Sequence, residues 1–386
     1  MIPRFKVNYK FLYYINYLFK NKNLIEQEFK TLIKQRFKIS YSLLTPSGRS
    51  SLFLILKNIK KKKIILPAYT CPKVIEAARL AKMKIIFSEL KKYNFNTNFK
   101  DSINFIDSDT VVLVTHQYGF INNYKKLKRI CRLKKAIIIQ DLAPAFDLKY
   151  KNNKYVGLDC DYAFFSFDKS KTIHSIDKLG MIVTNNKKNY ENLCKLSENQ
   201  FKQNFIFNFL IFIKFFIYLL LKSKVVYEIF YYIYFKFKNR VTTEKLEKKL
   251  FLNSYYKYKP NAFQIFIALK QLKFIDQILH KKKKLYQFYK KNIKYKNLFK
   301  LHDKIFKTPP IRFNLNINDK ENFYKFLLKK GIDCNFSYSN LYAKKSFTES
   351  YKVSNTIINL PFYYDLSNKD AKYICKAINI YMRESI

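Results

Sequence analysis

The chain of 386 residues has no tryptophan, and it is also poor in glycine and in acidic residues. Lysine, asparagine, isoleucine, phenylalanine and tyrosine dominate instead, a composition typical of drift towards A/T-rich codons. Under such drift, a retained glycine indicates a backbone that needs positive φ or a close approach. The five retained glycines are Gly48, Gly119, Gly157, Gly180 and Gly331.

Acidic side chains number 27 against 75 lysines and arginines, which gives a formal net charge of +48. Such a charge can indicate nucleic-acid binding, because phosphate neutralisation drives that association. Here the lysines run along the whole chain and no RNA- or DNA-binding motif accompanies them. We therefore expect no nucleic-acid partner, and we expect the positive surface to favour anionic lipid or a phosphorylated substrate.

The six cysteines are dispersed, without CxxC spacing and without histidines at metal-ligand distances. This pattern predicts reduced thiols and no metal site. The N-terminal region is basic and aromatic but lacks an apolar core followed by a small-residue cleavage site. We expect a cytoplasmic protein, with a peripheral contact at the inner membrane face as an open alternative.

Short apolar runs alternate with helix-length stretches through the first half of the chain. Alternation of this kind predicts an α/β fold with a mostly parallel sheet covered on both faces, whose ligand lies at the carboxyl ends of the strands. The strand-like runs are 64–66, 84–87, 111–115, 136–139, 162–166 and 181–184, and the helix-like stretches include 50–57, 72–81 and 124–133.

We divide the chain into four parts on this pattern. Residues 1–45 are expected to form an N-terminal helical segment, and residues 46–200 a large domain. An apolar insertion occupies 201–250. Residues 251–386 are expected to form a smaller α+β domain, with a long helix over 262–293 and strand-like runs at 311–315, 331–336 and 357–360.

The insertion contains a run, 205–221, that is apolar apart from Asn208 and Lys214, and a second run at 225–235. This pattern predicts a helical hairpin with a basic tip. Seventeen residues fall short of the roughly 20 apolar residues that span a bilayer, and a mid-bilayer lysine would cost about 3 kcal/mol. Shallow docking in the membrane interface through 205–235 and burial against the chain or a second subunit both remain open.

Lys171 and Asp141 are the candidate catalytic residues. Lys171 stands five residues after Ser166, and Asp141 follows the apolar run 136–139. A lysine amine can form a Schiff base with the aldehyde of pyridoxal 5'-phosphate (PLP), and a carboxylate can keep the pyridine nitrogen protonated. Taken singly, the lysine is typical of a solvated surface and the aspartate of a turn or helix cap. Their order along the chain indicates a PLP site.

These motifs resemble the DegT/DnrJ/StrS family of sugar aminotransferases, from about residue 47 to the C-terminus except near 200–250. The resemblance implies a three-layer PLP-transferase fold of type I, with a mostly parallel central sheet and a smaller C-terminal α+β domain. The matching pieces are residues 47–52, 66–70, 116–119, 140–143, Ser166-Phe167 with Lys171, 179–185, 259–261 with Gln264, Gln271-Leu272 and 359–361.

By this resemblance, Lys171 would bind the cofactor and shuttle the proton, and Asp141 would pair with the pyridinium nitrogen. The phosphate would lie on the amides of Gly48 and Arg49 at a helix N-terminus, with the Ser166 hydroxyl adding a contact. Family members that dehydrate sugars are expected to carry histidine at the lysine position. Lys171 therefore favours transamination.

Other positions depart from the family pattern. Cys71 stands where an aromatic ring usually stacks on the cofactor, and the nearby Tyr69 could substitute for it. Pro144 replaces a glutamine or histidine that contacts the phenolic oxygen of the cofactor. Lys257 replaces an asparagine that reaches the phosphate from the other subunit, and Leu179 replaces the first glycine of a pair.

The resemblance implies a homodimeric PLP-dependent aminotransferase that takes an amino group from an amino acid, glutamate by expectation. The acceptor would be a nucleotide-linked keto-sugar for surface polysaccharide biosynthesis. The departures and the hairpin motivate an alternative, a non-catalytic relative that acts as a binding or scaffold subunit at the membrane.

Overall fold

A computed structural model describes residues 1–92, 94–150, 152–200, 204–238, 258–302, 308–338 and 346–384, with the main chain alone at 199–200, 235–238 and 300–302. Its centre is a seven-stranded sheet in the order β1-β7-β6-β5-β4-β2-β3. The strands are β1 Tyr41–Thr45, β2 Lys63–Pro67, β3 Lys84–Ser88, β4 Thr110–Thr115, β5 Ile137–Asp141, β6 Tyr162–Ser166 and β7 Gly180–Thr184.

Five of these strands, β3, β2, β4, β5 and β6, are parallel neighbours, while β7 runs antiparallel to both β6 and β1. Every residue of β4 is buried, as expected for a strand covered on both faces. Each of the six strand-like runs in the sequence corresponds to one of the strands β2 to β7, which confirms the expected sheet. The first strand was missed, because its five residues lie within the segment expected to be helical.

The helices of the N-terminal half cover the sheet, and those of the C-terminal half build the hairpin and the smaller domain. They are α1 Phe11–Leu18, α2 Lys22–Phe37, α3 Gly48–Ile59, α4 Pro72–Leu80, α5 Lys125–Leu133, α6 Lys187–Gln200, α7 Phe205–Leu220, α8 Lys224–Lys238, α9 Ala262–Leu272, α10 Ile275–Asn292, α11 Lys320–Lys329, α12 Thr348–Thr356 and α13 Asn368–Glu384, with 3-10 turns at Ile103–Phe105, Gln117–Gly119 and Lys296–His302.

Alternate residues of the central strands face opposite helical layers. Val111 and Leu113 of β4 pack with α3, α4 and Leu193 of α6, whereas Val112 and Val114 pack with Leu127 of α5. The α2 and α9 helices cover the remaining part of the second face. The fold is therefore three layers, helix, sheet and helix.

The N-terminal helices belong to the core of the large domain. Buried Ile25, Phe29, Ile33 and Phe37 form one apolar stripe of α2, at the spacing of a helix face. This stripe packs on α9, which begins with a capping box formed by Asn261 and Gln264. The predicted domain boundary at 251 therefore differs from the packing, since α9 completes the large domain.

The smaller domain has its own core, and it begins with α10 rather than at 251. Tyr289, Phe313, Phe323 and Ile374 lie at its centre, and β8 Asn314–Asn316 pairs antiparallel with β9 Ile357–Asn359. The long helix expected over 262–293 is two helices, since the chain breaks between α9 and α10. Of the expected run 331–336, only single bridges form, from Ile2 to Ile332 and from Asn335 to Asn359.

The α7–α8 hairpin has two different faces. Ile211, Phe215 and Tyr231 are buried against the rest of the chain, while Phe205, Phe209 and other apolar side chains are exposed. No helix among the described residues is by itself long and apolar enough to cross a membrane. Phe205–Leu220 and Lys224–Tyr234 together are long and apolar enough to cross a membrane, but the two helices are bent by 120° relative to each other.

Candidate active site

A cavity of about 690 Å³ lies at the carboxyl ends of the central strands. Asp141 ends β5, Ser166 ends β6, Gln117 follows β4, and Gly48 opens α3, so that each reaches the cavity from a different element. In parallel sheets this edge is where ligands bind. The sheet thus brings together Gly48 and Ser166, which lie 118 positions apart in the sequence.

The N-terminus of α3 forms one end of the cavity. Ser47 caps the helix, with its Oγ accepting a hydrogen bond from the backbone N–H of Ser50 at 3.1 Å. A Cβ added to Gly48 would lie 2.8 Å from the Cβ of Ser166, so only glycine lets the helix approach β6 this closely. The backbone amides of the first turn and the helix dipole make this end suitable for a phosphate.

Gly180 lies close to the residue that caps the same helix. A Cβ at this position would lie 2.4 Å from both the carbonyl carbon and the carbonyl oxygen of Ser47. The close contacts explain why glycine is retained at two positions of this glycine-poor sequence, because Gly48 and Gly180 together fix where α3 starts.

Lys171 follows β6 through a tight turn. Its backbone N–H donates to the carbonyl of Asp168 at 2.8 Å, and the N–H of Ser170 donates to Oδ1 of the same aspartate at 3.1 Å. The side chain is partly exposed to the cavity and otherwise enclosed by protein. Burial lowers the pKa of Lys171, while the charges of Asp141 and Asp168 oppose that shift.

Asp141 is buried at 5% exposure, and its Oδ1 accepts a hydrogen bond from the N–H of Ala143 at 2.9 Å. Burial raises the pKa of this carboxyl to about 6, although the charge of Lys171 acts in the opposite direction. Asp141 is therefore ionised near neutral pH. A buried carboxylate of this kind can hold a proton on a ring nitrogen.

The cavity carries an excess of positive charge. Among the described residues that line it, seven side chains are cationic and three are carboxylates. The cations are Arg49, Lys73, Lys169, Lys171, Lys178, Lys214 and Arg312, and the carboxylates are Asp141, Asp168 and Asp177. Such a lining selects anionic ligands.

Three tyrosines close the cavity against the smaller domain. The hydroxyls of Tyr69 and Tyr118 lie 2.6 Å apart, and Tyr69 also donates to the carbonyl of Ser337 at 3.0 Å. Tyr118 and Tyr338 have φ of +56° and +53°, a backbone region that costs bulky residues about 1 kcal/mol or more. Strain of this kind is concentrated at functional sites.

Most of the predicted site residues meet in this cavity. Its lining includes Gly48, Arg49, Cys71, Asp141, Ser166 and Lys171. The guanidinium of Arg49 pairs with Glu76 at 2.6 Å. Tyr69 lies behind the wall in the tyrosine cluster, because its hydroxyl is held by Tyr118 and by Ser337, and Lys257 lies outside the described residues.

Sequence reasoning missed Lys178, Lys214 and Arg312, all of which line the cavity. Lys214 had been noted only as an interruption of an apolar helix. It pairs with Asp177 at 2.7 Å, a contact between segments 37 residues apart that no local pattern predicts. The sequence signal for Lys178 was its position beside Asp177, in the short segment between Lys171 and Gly180.

A second, small space of about 30 Å³, the side pocket, lies against the other side of Lys171. Lys282 of α10 reaches it from the smaller domain, and Arg312 borders both spaces. Lys282 is 4% exposed, and its Nζ lies 3.3 Å from the carbonyl oxygen of Ile311 and 4.9 Å from the centre of the Phe362 ring. Burial lowers the pKa of Lys282 to about 7, and the charge of Arg312 lowers it further.

Comparison with known proteins gives a consistent result. The model of the DegT/DnrJ/EryC1/StrS aminotransferase family matches residues 16–209 and 229–379. The chain belongs to this family. Residues 210–228, which include most of α7 and the tip of the hairpin, lie outside the match.

One relative is the GDP-perosamine synthase of Escherichia coli O157:H7, which is 23% identical over 369 residues, covering 92% of this chain and 89% of the relative. Among solved structures, the putative sugar aminotransferase Spr1654 from Streptococcus pneumoniae in its PMP form has a TM-score of 0.75 at 16% identity, with all of both chains covered. The sugar aminotransferase CalS13 from Micromonospora echinospora has a TM-score of 0.73 at 14% identity and covers 98% of this chain and 100% of its own.

The chain is thus a PLP-dependent aminotransferase of fold type I, and the family match confirms the expected enzyme class and cofactor. The residues present fit that cofactor. The capped N-terminus of α3 and Ser166 line the cavity where a phosphate would bind, Lys171 supplies the amine, and Asp141 supplies the buried carboxylate. The described residues contain no group of three histidine, cysteine or acidic side chains that could hold a metal ion.

Proposed function

We propose that this aminotransferase moves an amino group from glutamate to a keto-sugar linked to a nucleotide diphosphate, for surface polysaccharide biosynthesis. The observation that carries the proposal is the cavity in which Lys171 and Asp141 meet beneath a cationic rim. The Escherichia coli relative is named for a GDP-linked sugar, which supports the acceptor class. The donor rests on the resemblance noted from the sequence.

PLP, when bound, supplies an electron sink that stabilises negative charge on the carbon next to the amine. Burial lowers the pKa of Lys171, which favours the neutral amine that can accept a proton and return it to a neighbouring carbon. Burial raises the pKa of Asp141 to about 6, so this carboxyl is ionised at neutral pH and would keep the ring nitrogen protonated. The two residues thus have different tasks in one buried site.

The carboxylates of an amino-acid donor need cations that the cofactor phosphate does not use. Arg312 lines the cavity from the smaller domain, whereas the phosphate is expected at the N-terminus of α3 in the large domain. A guanidinium binds a carboxylate through paired hydrogen bonds. Arg312 is therefore our candidate for the α-carboxylate of the donor.

The direct test is a half-reaction. Purified protein loaded with PLP is mixed with L-glutamate, and conversion of the cofactor to its amine form is followed by absorbance, with 2-oxoglutarate measured as the product. Lys171→Ala should abolish the conversion. A protein that keeps PLP but converts it with no amino acid would overturn the proposal and favour the non-catalytic alternative, which the intact Lys171 and Asp141 argue against.

We also propose that the enzyme is a homodimer. Support comes from the resemblance, in which the position of Lys257 reaches the phosphate in the other subunit. Light scattering of the purified holoenzyme should give twice the mass of 46.6 kDa. When Lys171→Ala and Lys257→Ala subunits are mixed, each heterodimer should contain one site with both lysines, so the mixture should be more active than either variant alone. Activity that varies linearly with the fraction of either variant would contradict the shared site.

We further propose that this cytoplasmic enzyme docks on the anionic inner membrane face. Exposed side chains of α1, α7 and α8 form a surface that we call the apolar platform, and the rings of Phe11 and Phe216 connect α1 to α7 at 6.4 Å. Lys20 and Lys22 flank it. Apolar side chains beside lysines suit an interface with anionic lipid. The platform comprises Phe11, Leu12, Leu18, Phe19, Phe205, Ile206, Phe209, Leu220, Val225, Ile229 and Ile233.

Flotation with vesicles of phosphatidylglycerol and phosphatidylethanolamine tests this surface. Phe209→Glu should reduce the bound fraction severalfold, because it places a negative charge on the platform. The matched control is Phe274→Glu, at a phenylalanine of similar exposure (52% against 57%) outside the platform. Equal flotation of both variants, with Phe209→Glu shifting the dimer to monomer, would instead assign the platform to a subunit interface.

A further inference from the structure

The hairpin segment that the family model does not match contributes a side chain to the active-site cavity. Lys214 lies within residues 210–228, and its Nζ contacts Oδ2 of Asp177 at 2.7 Å. Lys214 is 37% exposed and Asp177 is 16% exposed, and both line the cavity. The insertion therefore shapes the site as well as the outer surface.

Lys214 and Lys178 both line the cavity, and the charge of Asp177 acts on both of them. Burial lowers the pKa of Lys178, and the positive charges of Arg49 and Lys73 lower it further, against the opposing effect of Asp177. Mutual repulsion of this kind shows that the cations lie close together. A buried lysine with other cations beside it is stabilised by a bound anion.

The balance of charge indicates how much anion the cavity holds. Seven cations face three carboxylates in the described lining, and Glu76 pairs with Arg49 at 2.6 Å and with Lys73 at 3.1 Å, which leaves an excess of about three positive charges. The cofactor phosphate supplies about two negative charges at neutral pH. Positive charge therefore remains for a further anionic group on the substrate, such as the diphosphate that links a sugar to a carrier.

We infer that Lys214 is a substrate-binding residue, which together with Lys178 holds the diphosphate linking the keto-sugar to its carrier. This inference rests on the proposed function, since it assigns the carrier end of the same substrate. Asp177 holds Lys214 in the cavity lining before substrate arrives, and it also repels the incoming anion. A nucleotide and a polyprenyl lipid both attach sugars through this diphosphate, and α7, which carries Lys214, also contributes Phe205, Ile206 and Phe209 to the apolar platform.

Calorimetric titration of the PLP-loaded holoenzyme tests the inference. The probes are GDP-mannose and UDP-N-acetylglucosamine for the nucleotide carrier, and farnesyl diphosphate for the lipid carrier. Lys214→Met should raise the Kd for the bound diphosphate about fivefold to tenfold, since a charge-assisted contact is lost. Lys214→Arg should restore affinity. Lys222→Met, in the same insertion but outside the cavity lining, should leave the Kd unchanged.

Asp177→Asn separates a binding role from a structural one. If Lys214 binds the anion, removing the neighbouring carboxylate should tighten diphosphate binding. If the ion pair only positions the hairpin, Asp177→Asn and Lys214→Met should weaken binding alike, and the inference is wrong. Binding of the nucleotide probes alone assigns a nucleotide carrier, and binding of farnesyl diphosphate alone assigns a lipid carrier.

Binding of neither class to the wild-type holoenzyme would also overturn the inference. The glutamate half-reaction, measured on the same preparations, keeps the two proposals apart. A normal half-reaction with diphosphate binding that does not depend on Lys214 refutes only the role of Lys214. Absence of the half-reaction with every amino acid refutes the proposed function itself.

Discussion

The large-domain end of the cavity and the wall formed by the smaller domain each hold a lysine whose pKa is lowered by burial. Lys171 in the large domain faces the carboxylates of Asp141 and Asp168, whereas the charge that acts on Lys282 is the like charge of Arg312. Lys171 lines the main cavity and the side pocket, and Lys282 lines the side pocket alone. Burial alone therefore does not mark the reactive lysine; its carboxylate partners and its access to the cavity do.

The largest difference should be found in covalent chemistry. Borohydride reduction of the PLP-loaded protein should leave a cofactor adduct on Lys171, and Lys171→Ala should lower the rate of the half-reaction by at least about 10³-fold, since both the nucleophile and the proton shuttle are lost. Lys282→Met should retain the adduct. Mass spectrometry of digested protein would break the comparison if the adduct were found on Lys282.

The carboxylate partner is tested by Asp141→Asn. This change keeps the shape of the side chain but removes the negative charge that holds the ring nitrogen protonated, so the half-reaction should slow about 10²-fold. Absorbance should show that the variant still binds PLP. A rate within twofold of wild type would show that Asp141 does not distinguish the two lysines.

The Lys282 side of the comparison is tested through stability. The pKa of Lys282 falls from the ordinary 10.5 to about 7 in the folded state. Between pH 7 and 10.5, Lys282 therefore carries a proton in the unfolded chain but not in the folded one. Stability due to this group therefore rises with pH across that window, and the cost of burying the charge is fully present below pH 7.

Lys282→Met should accordingly stabilise the protein by on the order of 3 kcal/mol at pH 6, with a gain that fades as the pH approaches 10. Melting temperatures of the variant and of wild type, compared at pH 6 and at pH 9.5, provide the measurement. A gain that is equal at both values would mean that Lys282 is not buried as a cation.

A smaller effect is expected at the phosphate end of the large domain. Gly48→Ala places a Cβ 2.8 Å from the Cβ of Ser166, and overpacking of this kind costs about 1–3 kcal/mol. PLP affinity should fall about tenfold, measured by fluorescence titration of the apoprotein. Ser166→Gly in the same chain removes that Cβ and should recover part of the melting temperature lost by the apoprotein, and no recovery would show that the clash is elsewhere.

Much of the large-domain end was predictable from the sequence. Buried parallel strands appear as continuous apolar runs, and the functional residues follow those runs directly, so Asp141, Ser166 and Lys171 could be assigned to one edge of the sheet. The scarcity of glycine also identified Gly48 and Gly180 before their close contacts were seen.

The small-domain wall was not predictable in the same way. Lys282 lies in a helix among other lysines, and only the tertiary packing of Ile311 and Phe362 buries it. Lys214 reaches the cavity because the hairpin folds back on the large domain. Strand β1 and helix α9 were misassigned because their pairing partners, β7 and α2, are distant in sequence.

The hydrogen bond from the Tyr69 hydroxyl to the carbonyl of Ser337 has a consequence for motion between the two domains. It crosses from the large domain to the smaller one at 3.0 Å, while the contact with the hydroxyl of Tyr118 at 2.6 Å holds Tyr69 in place within the large domain. Tyr69 is 1% exposed, so separating the domains at this point would break that bond and uncover a buried ring. The two domains should therefore stay joined beside the tyrosines throughout turnover.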